Sequence, residues 1–160
     1  MVETVSIRLT VNGAEVSKEV EPRQHLTDFL RNELGLTGSH IGCEHGVCGA
    51  CSVRVDGRVV RGCLMLATQA DGAAVETIEG IVESSEAADL AEAFIGRNAL
   101  QCGFCTPGMM LTAAELLAEG KPLDRAGIRQ ELSGNICRCT GYQAIVDAVE
   151  SVLVKKTGEV

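Results

Sequence analysis

Cysteine is the residue type in this chain whose number and spacing could do chemistry. The 160 residues include eight cysteines, against three phenylalanines, one tyrosine and no tryptophan. The cysteines form two groups of four with none left over: Cys43, Cys48, Cys51 and Cys63, then Cys102, Cys105, Cys137 and Cys139. Thiols stay reduced in the cytosol, the compartment that the sequence favours, so a disulfide framework is the weaker interpretation. Metal or iron-sulfur ligation is the leading one.

The first group has the spacing C-x4-C-x2-C-x11-C. A C-x4-C-x2-C run with a distant fourth cysteine is typical of plant-type 2Fe-2S sites, in which a short loop lets three cysteines reach both irons. Gly42, Gly46 and Gly49 lie in this loop. Glycine lets the backbone pass close to the sulfur atoms and leaves amide groups free to point at them. The alternative is a four-cysteine zinc site, which is usually built from short C-x2-C pairs.

The second group has the spacing C-x2-C-x31-C-x-C. This spacing alone leaves zinc open, because paired cysteines from two loops also describe zinc sites. One pair precedes a helix expected to start at Pro107, and the other precedes a helix expected near Gly141. Helix N-termini stabilise thiolates and a reduced, more negative cluster. A Rieske centre would need two histidines, and this half of the sequence has none.

The elements that must position the cysteines change character along the chain. Residues up to about 80 alternate with period two, which predicts hairpins around Asn12-Gly13 and Asp56-Gly57, a short helix over 26–34 and a last strand over 75–78. From about residue 84 the period is 3.6, which predicts four helices, near 87–94, 106–117, 124–132 and 141–153. The sequence therefore predicts an α+β half with a mixed or antiparallel sheet, joined near 79–84 to an all-helical half.

Charge and hydropathy exclude several classes of partner. The net charge is −8, and each half of the chain carries 7 basic and 11 acidic residues. A uniformly acidic surface argues against nucleic-acid binding, which depends on Lys and Arg neutralising phosphates. No apolar run approaches the roughly 20 residues needed to span a bilayer. The N-terminus lacks a basic-then-apolar signal, so a cytoplasmic location is expected.

Three segments carry a family resemblance: residues 41–55 (IGCEHGVCGACSVRV), 101–108 (QCGFCTPG) and 135–143 (NICRCTGYQ). They resemble the small iron-sulfur subunit of the molybdenum hydroxylases, the group that includes xanthine dehydrogenase, aldehyde oxidoreductase, aerobic carbon monoxide dehydrogenase and N-heterocycle hydroxylases. All eight cysteines fall at family positions. The resemblance implies a β-grasp, plant-type ferredoxin-like domain over 1–80 and a four-helix bundle domain over 81–160, with one 2Fe-2S cluster ligated by each group of four cysteines.

The resemblance also implies a function. Electrons would pass from a molybdenum-pterin cofactor to the Cys102/Cys105/Cys137/Cys139 cluster, then to the Cys43/Cys48/Cys51/Cys63 cluster, and finally to FAD. The molybdenum cofactor would lie in a large partner subunit and FAD in a medium one, in a dimer of heterotrimers. Gln101 would hydrogen-bond the pterin, since a side-chain amide offers both a donor and an acceptor. Cys139 would be the ligand closest to it.

The sequence holds no nucleophile-and-base pair and no phosphate-binding P-loop, so no substrate chemistry is expected on this chain. Two other functions stay open: an independent soluble two-cluster ferredoxin and a zinc-stabilised interaction module. The substrate of an assembled hydroxylase is also open, among carbon monoxide, N-heteroaromatic rings, aldehydes and purines. A chain that only relays electrons never touches the substrate.

Overall fold

A five-stranded mixed sheet forms most of the first half of the chain. The computed structural model describes residues 3–158. The strands run in the order β2-β1-β5-β3-β4; β1 and β5 are parallel and the other neighbours are antiparallel. Their bounds are β1 Val5–Val11, β2 Ala14–Val20, β3 Ser52–Val55, β4 Arg58–Arg61 and β5 Ala74–Glu76. The predicted α+β class and the mixed sheet are confirmed.

Both predicted hairpins form at the predicted turns. Asn12 and Gly13 have φ angles of 49° and 81°, and Asp56 and Gly57 have φ angles of 48° and 81°. Two successive residues with positive φ make the turn whose twist matches a hairpin, which is why Asn-Gly and Asp-Gly predict it well. The last strand is shorter than predicted, because Ile78 already begins a helix.

Helices account for most of the second half, and one short helix with its π-helical extension lies in the first half. The first, α1 (Leu26–Asp28), continues as a π-helical turn over Phe29–Glu33. The others are α2 Ile78–Glu83, α3 Ala88–Gly96, α4 Thr106–Glu119, α5 Arg125–Glu131 and α6 Gln143–Thr157. The four predicted helices are present as α3 to α6. Helix α2 was not predicted: it occupies the segment expected to be a linker between the two halves. With six residues, it is too short to show a helical periodicity in the sequence. The arrangement as a four-helix bundle stays a prediction.

The starts of two helices differ from the predicted ones, and both lie beside cysteines. Helix α4 begins at Thr106, so Cys105 is its N-cap and Pro107 its second residue. Helix α6 begins at Gln143. Gly141 and Tyr142 have φ angles of 67° and 68°, which a right-handed helix excludes, so Tyr142 caps the helix instead of lying within it.

Two separate hydrophobic cores hold the two halves. The first is built from residues between 7 and 75, around Leu26, Phe29 and Leu30. The second is built from residues between 81 and 153, around Phe94 and Met109. Within residues 3–158, no helix has the length and hydropathy needed to cross a bilayer.

Candidate metal centres

The structure brings the first four cysteines together at one end of the second hairpin. Cys43 and Cys48 lie in the loop that follows α1, Cys51 directly precedes β3, and Cys63 follows β4. The Cys48 amide donates a hydrogen bond to Cys43 Sγ over 3.4 Å. The side chains of Cys51 and Cys63 are also hydrogen-bonded to each other. The four sulfurs therefore lie in two close pairs.

The second group shows the same pairing between two loops. Cys102 and Cys105 precede α4, and Cys137 and Cys139 lie between α5 and α6. Cys139 Sγ lies 3.5 Å from Cys102 Sγ, and the Cys105 and Cys137 side chains contact each other. Residues 3–158 contain no group of three or more His, Cys, Asp or Glu side chains arranged around a single metal ion. Two pairs of free thiols per site are instead the donor set that fits a two-iron cluster with four cysteine ligands.

Local hydrogen bonds and burial act in opposite directions in the first site. Amide groups of His45 and Cys48 point at the Cys43 sulfur and lower its pKa to about 6. Burial raises the pKa of Cys51 to about 11. Amide groups around Cys43 stabilise negative charge on sulfur, as a thiolate ligand requires.

In the second site, too, hydrogen bonds lower the pKa of one cysteine and burial raises that of another. The Phe104 amide lowers the pKa of Cys102, and the Cys102 side chain raises that of Cys139. Burial raises the pKa of Cys105 to about 12 although this residue is the N-cap of α4. Desolvation therefore outweighs the helix N-terminus at Cys105, contrary to the expectation from the sequence.

Two glycines show how closely the backbone approaches the first site. A Cβ on Gly42 would lie 3.0 Å from Cys48 Sγ. Gly49 has a φ angle of 74°, and a Cβ there would lie 2.6 Å from the Gly134 carbonyl oxygen. The loop thus requires glycine at Gly49 to pack against the other site, and a Cβ at Gly42 would press on the Cys48 sulfur.

The two sites contact each other through the loops that carry their cysteines. The Ile136 amide donates to the Cys48 carbonyl over 2.8 Å. The buried Asn135 side chain donates to the Gly49 carbonyl over 3.3 Å. Arg61 donates to the Gly134 carbonyl over 2.7 Å. A ligand candidate of the first site is therefore hydrogen-bonded to the residue directly before Cys137.

A second contact between the loops is aromatic. The rings of His40 and Phe104 stack with centroids 4.6 Å apart and an interplanar angle of 16°. His40 Nδ1 also lies 2.8 Å from the Phe104 carbonyl oxygen. His40 precedes the first cysteine loop and Phe104 lies between Cys102 and Cys105, so this pair closes one side of the interface.

One end of the second site is open to solvent. Cys102 and Cys139 are exposed, whereas Cys105 is half-buried and Cys137 is buried. Gln101 is exposed next to Cys102. The Cys102/Cys139 pair is therefore the solvent-facing pair of this site, and the Cys105/Cys137 pair is the inner one.

Sequence reasoning missed the residues that hold the loops in place. Asn135, Thr140 and Tyr142 all hydrogen-bond within the Cys137 loop, and Arg61 reaches it from the first half. None of these residue types carries a metal signature; Asn135, Thr140 and Tyr142 lie within the NICRCTGYQ segment, whereas nothing in the sequence places Arg61 near this site.

The two thiol sites on an α+β chain define a protein that binds two iron-sulfur clusters, and comparisons with known proteins agree. Residues 9–78 match the model of the 2Fe-2S iron-sulfur cluster binding domain, and residues 77–150 match that of the [2Fe-2S] binding domain. The chain is 49% identical over 149 residues to caffeine dehydrogenase subunit gamma of Pseudomonas sp. (strain CBB1), covering 91% of this chain and 89% of that protein.

Two further matches are also to proteins named as hydroxylases or oxidoreductases. The chain is 48% identical to the nicotine 6-hydroxylase small subunit of Paenarthrobacter nicotinovorans, over 92% of this chain and 88% of that one. A chain in the crystal structure of quinoline 2-oxidoreductase from Pseudomonas putida 86 superposes with a TM-score of 0.89, at 46% identity over 98% of this chain and 99% of that one. This chain belongs to the small iron-sulfur subunits of the molybdenum hydroxylase family, and it is the iron-sulfur subunit of an oxidoreductase.

Proposed function

We propose that this chain relays electrons from a molybdenum-pterin cofactor in a large subunit to FAD in a medium subunit. When bound, each 2Fe-2S cluster would accept and release one electron at a time. The order would be the helical site first and the ferredoxin-like site second. Substrate choice would belong to the large subunit.

The ligands would be the eight cysteines, four for each cluster. The pairing of the sulfurs supports this assignment, since each iron of a 2Fe-2S cluster takes two protein thiolates. The backbone amides directed at Cys43 and Cys102 support it further. The division into domains over 1–80 and 81–160 is supported by the two separate cores.

The hydrogen bond from the Ile136 amide to the Cys48 carbonyl is the observation that carries the relay. It connects the backbone of one proposed ligand to the residue before another, Cys137, over 2.8 Å. Two sites that belonged to independent functions would have no need of a direct contact between their ligand loops.

The exposed end of the helical site supports the direction of the relay. Gln101 and Cys139 would face the pterin in the large subunit, because both are exposed beside the outer sulfur pair. The full assembly would be a dimer of heterotrimers in the cytoplasm, as the family resemblance implies.

Composition of the purified protein tests the cluster content and the partners. We expect the tagged chain to co-purify with two larger chains, to contain about four irons, and to give two distinct 2Fe-2S EPR signals when reduced with dithionite. A stable monomer that carries both clusters and reduces acceptors alone would favour the independent ferredoxin. A colourless chain with zinc and no acid-labile sulfide would favour the interaction module.

The order of the clusters is tested by EPR of the complex partly reduced with dithionite. A Mo(V) signal should be split by the unpaired electron of the nearer reduced cluster. We expect Cys105→Ala to abolish this splitting and Cys63→Ala, the matched variant in the other site, to leave it unchanged. The reverse pattern would contradict the proposed order.

A further inference from the structure

The side chain of Thr140 has a role that the cluster ligands do not explain. Thr140 lies half-buried between Cys139 and α6, and its hydroxyl oxygen is 3.0 Å from Cys137 Sγ. The same oxygen accepts a hydrogen bond from the Tyr142 amide over 3.2 Å. A hydroxyl group has a single hydrogen, and the amide must be the donor in its contact. The hydroxyl hydrogen is therefore free to point at the Cys137 sulfur.

The sulfur that receives this hydrogen is itself held in place. The Cys137 amide donates to the Tyr142 hydroxyl over 2.8 Å, and that hydroxyl donates to the Asn135 carbonyl over 3.3 Å. Cys137 is buried. The left-handed conformation of Tyr142 turns the chain back so that its ring can reach this loop.

The contact with Thr140 differs in kind from those of the other sulfurs. Within residues 3–158, the hydrogen bonds to Cys43 and Cys102 come from backbone amides or from another cysteine. The group that faces Cys137 Sγ at 3.0 Å is instead the side-chain hydroxyl of Thr140. The hydroxyl thus stabilises negative charge on this sulfur.

A cluster becomes more negative when it takes up an electron, so a donor to one of its thiolates favours the reduced state. We propose that Thr140 raises the reduction potential of the cluster in the helical domain by donating its hydroxyl hydrogen to Cys137 Sγ. This inference rests on the proposed ligand role of Cys137.

The test is a redox titration of the complete complex, with each cluster followed by its own EPR signal. Thr140→Val keeps the shape of the side chain and removes the hydroxyl, whereas Thr140→Ser keeps the hydroxyl. We expect the valine variant to lower the ratio of reduced to oxidised helical-domain cluster by roughly tenfold at a fixed potential, or about 59 mV for one electron. The serine variant should titrate like the wild type, and the ferredoxin-like cluster serves as a reference within each molecule.

A second threonine in the same region provides a control that distinguishes an effect on the cluster potential from a purely structural effect. Thr112 Oγ1 lies 3.0 Å from both Asn135 Oδ1 and the Gly108 carbonyl oxygen, and neither partner is a cysteine. We expect Thr112→Val to lower heat stability without moving either potential. Unchanged potentials in Thr140→Val, or equal shifts of both clusters, would overturn the inference. If the valine variant fails to assemble its cluster, Thr140→Ala replaces it with the same expected shift.

The EPR signals of the wild-type complex distinguish failure of the proposed function from failure of this inference. A wild-type complex without two 2Fe-2S signals would overturn the relay and this inference together. Two normal wild-type signals with no effect of Thr140→Val would overturn this inference alone.

Discussion

Truncation of Asn135 tests how much the interface between the two sites contributes to stability. Its side chain is 1% exposed. The amide nitrogen donates to the Gly49 carbonyl over 3.3 Å, and Oδ1 lies 3.0 Å from the Thr112 hydroxyl. Both partners keep another hydrogen bond without Asn135: Gly49 O still accepts from Ser52, and Thr112 still donates to Gly108 O. Because the Thr112 hydroxyl has one hydrogen, it is shared between Asn135 Oδ1 and the Gly108 carbonyl, so truncation removes the bond to Gly49 and this shared contact without leaving a buried group unpaired.

The expected cost of Asn135→Ala follows from these contacts. One full hydrogen bond and one shared contact are worth about 1–2 kcal/mol together, and the small cavity adds roughly 1 kcal/mol, so we expect a loss of about 2–3 kcal/mol. For a chain of this size, each kcal/mol lowers the thermal midpoint by about 2–4 °C. The assay is thermal bleaching of the visible cluster absorbance at one fixed scan rate. Asn32→Ala, at an exposed position, is the matched control.

The isosteric variant gives a sharper test than the truncation. Asn135→Asp keeps the shape but places a buried carboxylate against the Gly49 carbonyl, which accepts hydrogen bonds and cannot donate one. We expect it to be less stable than Asn135→Ala at pH 7. The carboxyl pKa would be raised in the folded state, so this deficit should shrink as the pH falls toward about 4, where the protonated acid can donate. A carboxylate variant more stable than the alanine variant at pH 7, or Asn135→Ala matching Asn32→Ala, would refute the reasoning.

Three further predictions concern the ion pairs, the loop and the free thiols. The buried Arg54 guanidinium lowers the pKa of Glu86, so this pair stabilises the fold above the ordinary glutamate pKa of about 4.3 and less as the pH falls through the lowered value. Arg54→Met should lower the free energy of unfolding by about 1 kcal/mol at pH 7 and make the stability depend less on pH. The measurement is the thermal midpoint of cluster bleaching at several pH values between 3 and 7. Gly42→Ala should lower iron from about four to about two per chain because its Cβ meets Cys48 Sγ, while Gly96→Ala, with open space, should keep all four. After iron removal, Cys43, whose pKa is about 6, should react with iodoacetamide at pH 7 faster than Cys105, whose pKa is about 12; equal rates by mass spectrometry would contradict the folded thiol sites.

The parts of the fold and sites that the sequence predicted are those that need particular residue types. Asn12-Gly13 and Asp56-Gly57 predicted the hairpins because few other pairs adopt two positive φ angles. The spacing of the cysteines predicted two sites because iron-sulfur chemistry needs thiolates at set intervals. Asp124 predicted the start of α5, and its carboxylate accepts from the Gly127 amide over 2.8 Å.

The parts that the sequence did not predict depend on backbone groups and on docking. Every residue except proline carries an amide like that of Ile136, so nothing in its type indicates that it donates to Cys48. Helix α2 contains only six residues, fewer than two turns. Tyr142 matched the apolar stripe of α6, but its left-handed conformation, which follows from the fold of the Cys137 loop, places it before the helix.

The order of events during maturation follows from the contact between the two loops. Asn135 and Gly49 are 86 residues apart in the chain, so their hydrogen bond joins the two halves directly. In this closed arrangement Cys51, Cys63 and Cys137 are buried. Metal binding and folding are coupled in such sites, so we expect iron and sulfide to reach these three sulfurs before the two loops have met. We expect the machinery that loads the clusters to act on an open chain, and closure of the interface to be the last step before assembly with the partner subunits.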